Sequence, residues 1–205
     1  MKYPALKQQG GFTLIELAVV IVLLISLAAV GGIFQFSGDK SKASNLLQTS
    51  RLYSDAILRY KNDTGVTPIH LKSLFLKASN AAADTNEAIA ATATWRGPYV
   101  NGFKQDANGD VAADFLSSGS VITLTAPDAA NIPVGMTQGL QLNFSNLPDA
   151  VVKEAVANCN STDIATAPPT DFKAGNKCSG TLAAAGVAGA AGVAGTMQFL
   201  FYMAP

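Results

Sequence analysis

Charge is scarce in this chain. Asp, Glu, Lys and Arg make up 14% of its 205 residues, where about a quarter is usual for a globular domain. The 14 basic side chains are balanced by 14 acidic ones. A nucleic-acid binder needs a basic footprint, so that partner class is disfavoured. Histidine occurs once and cysteine twice, too few for a metal centre built from several such ligands. There is no Ser/His/Asp set, no P-loop and no paired-His helix motif, so nothing points to an enzyme. What the chain has instead is apolar residues, 49% of the total. That excludes a disordered chain.

The apolar excess is concentrated at one end. From Phe12 to Phe36 the sequence runs FTLIELAVVIVLLISLAAVGGIFQF, and its one charge is Glu16. As a helix these residues reach roughly 37 Å at 1.5 Å each, and a bilayer core needs about 20 apolar residues. Before the run stand Lys2 and Lys7, with no acid among the first eleven residues. Three readings compete. A cleaved secretory signal has a shorter apolar block and a small-residue exit, and GGIFQF is a poor exit. A plain single-pass anchor explains the length. It does not explain a carboxylate five residues into the block, where insertion scales charge about 2.5–3.5 kcal/mol at mid-membrane and less near the end. Such an acid calls for a partner.

The third reading supplies one. Gly10-Gly11-Phe12-Thr13-Leu14-Ile15-Glu16, behind a basic leader and ahead of an apolar run, resembles the class III signal of the type IV pilin superfamily. The resemblance implies a precursor cut by a prepilin peptidase between Gly11 and Phe12, with the new amine at Phe12 methylated. It implies that Glu16 pairs with the N-terminal amine of a neighbouring subunit. A wrong register would leave both charges unpaired in an oily core, which is costly. Small residues from Ser26 to Gly32 permit close helix approach. Many pilins carry a proline in this segment, whereas here none occurs between Phe12 and Thr67. Gly31-Gly32 is a candidate soft point, at about 1 kcal/mol per Gly relative to Ala. Lys2 and Lys7 before the span and Lys40 and Lys42 after it nearly tie, so only the resemblance puts the N-terminus in the cytoplasm.

Past Phe36 the pattern stays helical. Ala43, Leu46, Leu47, Tyr53, Ile57 and Tyr60 recur at three- and four-residue spacing. Asp55 and Arg59 form an i,i+4 pair of favourable order. Asn62-Asp63-Thr64-Gly65 reads as a stop. One helix from about Phe12 to Asn62 is expected, then a connection in which Leu71, Leu74 and Phe75 suit a short helix. His70 stands alone and reads as a surface or packed residue. Strands are expected at Tyr99–Phe103, Val111–Phe115, Val121–Thr125, Leu140–Phe144 and Met197–Met203. A second helix is expected at Pro148–Ala157. Trp95-Arg96-Gly97-Pro98-Tyr99 is similar to the entry of the sheet in pilins and secretion pseudopilins. The fold class is α+β: a long N-terminal helix, hydrophobic then amphipathic, packed on a C-terminal antiparallel sheet. The expected organisation is a leader at 1–11, an apolar helix half at 12–36, an amphipathic half at 37–63, a connection at 64–95 and a β-sheet head at 96–205.

Cys159 and Cys178 resemble the ends of the disulfide-bounded C-terminal loop of pilins, here 159–178. A bridge there closes a loop worth roughly 3 kcal/mol on the chain-entropy estimate, in a head that would fold where disulfides persist. Two free thiols are the alternative. Asp106, Asn108, Asp110 and Asp114 have the look of a calcium loop. Its Gly is misplaced for an EF-hand and the closing Glu is absent, so a plain Asn108-Gly109 turn is favoured. No other cofactor is expected. Gly186, Gly189, Gly192 and Gly195 recur every third residue without proline, which excludes collagen and fits a loop before the last strand.

The expected function is mechanical: a homo-oligomeric, type IV pilus-like filament subunit that sits in the inner membrane as a precursor and works outside the cell after assembly. Its partners would be the prepilin peptidase and the assembly machinery, with no nucleic acid bound directly. Adhesion, surface motility or DNA uptake are roles the resemblance allows. A pseudopilin or minor pilin of a secretion or competence system is the alternative. A non-polymerising membrane-anchored binding protein is the alternative from another class.

Overall fold

The structure is a computed structural model. It describes residues 14–101, 109–136, 138–164, 167–183 and 195–204. Within these ranges, the side chains of 14–17, 21–37, 138 and 202–204 lie outside the described part. The chain divides into two compact units, with the divide at Gly38–Asp39.

Helix α1 runs Leu14–Thr64, 51 residues, close to the span read from the sequence. It ends where Gly65 takes a positive φ of 76°. There the Gly65 N–H donates to the Lys61 carbonyl, and the Thr64 hydroxyl donates to the Tyr60 carbonyl at 2.8 Å. Glycine closes a helix in this way because only it reaches that φ without steric cost. In the second unit, the buried stripe of α1 is Ala43, Leu46, Tyr53, Ala56, Ile57 and Tyr60. Asp55 and Arg59 do not close the expected ion pair. Lys72 does pair with Asp84, at 3.3 Å.

Five strands make one antiparallel sheet: β1 Val111–Ala112, β2 Val121–Thr125, β3 Gln138–Leu147, β4 Cys178–Thr181 and β5 Gly195–Ala204. Their spatial order is β1-β2-β3-β5-β4. Alternation along the strands sets the two faces. Ile122 and Leu124 of β2, Leu142 and Phe144 of β3 and Met197 of β5 join the core with the α1 stripe. The α+β class and the helix-on-sheet packing are those expected. Helix α2, Asp149–Asn160, adds Val151, Val152, Ala155 and Val156 to the same core. It runs a turn beyond the expected end at Ala157, so Cys159 lies on the helix.

Two expected strands are corrected. Tyr99–Phe103 is not a strand over its described part, and Gly102 and Phe103 lie outside the described residues. The Tyr99 N–H is taken by the Leu74 carbonyl at 2.8 Å, so aromatic composition there serves packing rather than pairing. Val111–Phe115 shrinks to Val111–Ala112. Beyond it, the Leu116 N–H donates to the Ala113 carbonyl and Asp114 Oδ1 accepts from the Gly119 N–H at 3.2 Å, so turn chemistry wins over β propensity. In contrast, β2 has the expected bounds, and β3 and β5 are longer than expected by several residues. Strand β4 went unforeseen, since Cys-Ser-Gly-Thr has neither β-branched bulk nor alternation.

Candidate processing and assembly site

The leading motif is placed only in part. Gly11 and Phe12 lie outside the described residues, and Glu16 is described by its backbone alone, in the first turn of α1. A carboxylate there suits the positive end of the helix macrodipole. Of the apolar block, Ala18, Val19 and Val20 have described side chains, and all three are exposed, Val19 by 53%. Among the described residues, no helix is long and apolar enough to cross a membrane. The apolar run from Phe12 to Phe36 falls almost wholly on side chains outside the described part.

The connection after α1 is a tied-down loop. Trp95 Nε1 donates to the Ser73 carbonyl at 2.9 Å, and the buried Asn80 amide donates to the Leu76 carbonyl at 2.8 Å. The Thr67 N–H donates to Glu87 Oε2 at 2.6 Å. Tyr99 stands between Tyr60 and Trp95, edge-on to both, with ring centroids 5.6 and 5.9 Å away. Its hydroxyl donates to Asp63 at 3.0 Å, so the loop is fastened to the last turn of α1. Burial pushes the Tyr99 phenol up and, more strongly, moves the Tyr60 phenol up to about 12. Gly97 is required by close approach: a Cβ there would meet the Trp95 and Tyr99 rings at 2.6 and 2.8 Å. His70 is half-buried before a short turn over Leu71–Leu74.

At the far side of the head the disulfide forms between Cys159 and Cys178, with Cα atoms 6.0 Å apart. It is doubled by a clamp that the sequence reading missed. Asn160 Oδ1 accepts from the N–H groups of Lys177 and Cys178 at 2.9 and 3.0 Å, and its amide donates to the Cys178 carbonyl at 2.8 Å. An Asn side chain is a peptide group in miniature and occupies the edge of β4 as a strand would. Inside the loop, buried Phe172 donates its N–H to the Asn131 carbonyl at 2.8 Å. Asp149 Oδ1 accepts from the Ala183 N–H at 2.9 Å, tying the start of α2 to the exit of β4.

The calcium candidates are not assembled into a described cluster. Asp106 and Asn108 lie outside the described residues, Asp114 is engaged with Gly119, and among the described residues no group of three acids, His or Cys could hold a metal. Gly109 has a φ of 83°, as a turn glycine should. Gly186, Gly189 and Gly192 also lie outside the described residues, whereas Gly195 opens β5.

Residues 6–31 match the family model described as the prokaryotic N-terminal methylation motif. The chain is thus type IV pilin-like at its leading end, and such a motif marks a precursor for a prepilin-type peptidase and for pilus or secretion machinery in general. No curated protein matches the chain. No solved structure matches it either.

Proposed function

We propose that this chain is the precursor of a filament subunit, cut between Gly11 and Phe12, methylated at Phe12 and polymerised through the apolar half of α1. What supports the reading above all is the methylation motif at 6–31, set directly on the start of a 51-residue helix. The apolar run holds the precursor in the inner membrane, N-terminus inside. After the cut, the helices exchange lipid for one another, which lets van der Waals packing and small residues set the contact. Glu16 supplies register by meeting the amine of a neighbouring Phe12, since an unpaired carboxylate in that setting is strongly disfavoured. The heads then face outward, with loop 159–178 fixed by Cys159–Cys178. Adhesion, surface motility or DNA uptake would be carried by the heads.

Mass spectrometry of the protein purified from its host tests this reading. A mature chain that begins at Phe12 and carries one added methyl group is expected. An intact Met1 would overturn it in favour of the plain anchor. Glu16→Leu is expected to insert and be cut normally but to yield few filaments, as electron microscopy would count them. A pseudopilin or minor pilin is the second reading, and it predicts sparse filaments from the unaltered chain as well.

A further inference from the structure

The head manages the two edges beside its last strand in opposite ways. The free edge of β4 is capped: the Asn160 side chain takes both backbone groups of Cys178, and the Gly180 N–H donates to the Pro169 carbonyl at 2.8 Å. Capping of this kind blocks addition of a foreign strand. Strand β5 is longer than β4. Their pairing ends at Cys178 with Phe199, and one further bond joins the Leu200 N–H to the Lys177 carbonyl at 2.9 Å. Beyond Leu200 no described residue pairs with β5 on that side, although β5 continues to Ala204. A register shift in the β3–β5 pairing falls at the same level, between Leu140 and Gln141, and bulges commonly re-aim a strand beside a working surface.

A cleft of about 370 Å³ opens there, lined among others by Pro133, Phe172, Lys177, Phe199, Leu200 and Phe201. Val134 next to Pro133 is fully exposed. The exposed Lys177 ammonium forms no ion pair among the described residues. Among the described residues, the cleft therefore combines a run of β5 backbone with no strand partner on one side, apolar walls and one positive charge. We infer that it accepts the C-terminal end of an extended peptide, added antiparallel to β5, with an apolar side chain in the cleft and the terminal carboxylate on Lys177. Main-chain bonds would give the affinity and the cleft the selectivity, as in other strand-addition sites. This inference stands on the head alone and does not depend on filament assembly.

The test uses the full-length protein in detergent micelles and a fluorescein-labelled peptide, Thr-Val-Thr-Val-Thr-Phe with a free C-terminal carboxylate, read by fluorescence polarisation. Saturable binding is expected. Replacing the carboxylate by an amide should weaken it about threefold, the scale of a partly exposed ion pair. Lys177→Gln should cost the same and abolish the difference between the two peptides, as a double-mutant cycle requires. Methylating alternate backbone nitrogens of the peptide should abolish binding, and this arm needs no altered protein. No saturation below about 1 mM, or equal binding of the N-methylated peptide, would overturn the inference.

Discussion

One helix, α1, is two different objects along its length. In the second unit its apolar stripe is satisfied within the chain: Leu46, Tyr53, Ile57 and Tyr60 are fully buried with Ile122, Leu142 and Phe144 of the sheet. In the first unit, Val19 and Val20 are about half exposed, and the sequence around them is more apolar than the head's. The second half of the helix is thus held by packing within the chain, whereas the described side chains of the first half, Ala18, Val19 and Val20, are exposed and lie inside the stretch that matches the methylation motif. The packing of the second unit is internal to the chain, and the filament contacts proposed above would fall on the first.

Alkaline pH gives the largest expected effect on the packed half. The phenols of Tyr53 and Tyr60 are both raised from 10, Tyr60 up to about 12, chiefly because burial disfavours the charged phenolate. The unfolded chain would release these protons near pH 10. Stability from the two phenols is therefore complete below about pH 10 and is lost as pH rises through the folded values. Two of the five tyrosines should ionise only together with loss of the head's circular dichroism. If all five titrate near pH 10 with the fold intact, the packed half is not packed as described.

Core truncation comes next. Phe144→Ala should cost about 3–5 kcal/mol in denaturant unfolding, the transfer and cavity terms of a fully buried ring. Removing the disulfide by Cys159→Ser with Cys178→Ser should cost about 3 kcal/mol on the loop-entropy scale. The Asn160 clamp is expected to keep β4 paired in that variant, so hydrogen exchange at Cys178→Ser should stay slow. Asn160→Ala added to it should release that amide. A smaller loss is expected for Gly180→Ala. A Cβ there would come within 2.8 Å of Val152 and 3.0 Å of the Thr196 carbonyl, an overpacking worth about 1–3 kcal/mol.

How much of this was legible in the sequence differs between the same two regions. The leading motif is local: its residues stand in adjacent positions, so a short match over 6–31 reads it, while the roles proposed for Gly11, Phe12 and Glu16 rest on the resemblance. The helix was equally readable, because periodicity over five turns outweighs any single residue, and Gly65 marked its end. The head is non-local. Strand β2 showed because Val121–Thr125 alternates, but β4 did not, because its pairing with β5 is fixed by partners such as the Asn160 amide and by α2 pressing on Gly180. Tyr99 misled for the same reason: its ring belongs to Tyr60 and Trp95, a contact no strand propensity encodes. The Asn160 clamp had one available signal, an amide adjacent to Cys159, which becomes meaningful only once Cys178 is brought beside it.

The smallest expected effect is also the sharpest test of the division. Val19→Ser with Val20→Ser alters two exposed side chains in the first unit. If the leading half contributes nothing to the head's core, the head's unfolding free energy in detergent should change by less than about 0.5 kcal/mol, the usual scale for exposed positions. The same variant should associate less well through its helices, because two branched side chains that could pack against another helix or lipid have become polar. A shift in head stability much beyond that scale, read by denaturant midpoint with an unchanged slope, would show the two halves to be energetically coupled. A null on stability together with weaker self-association would place the helix's two tasks on separate stretches of one continuous backbone.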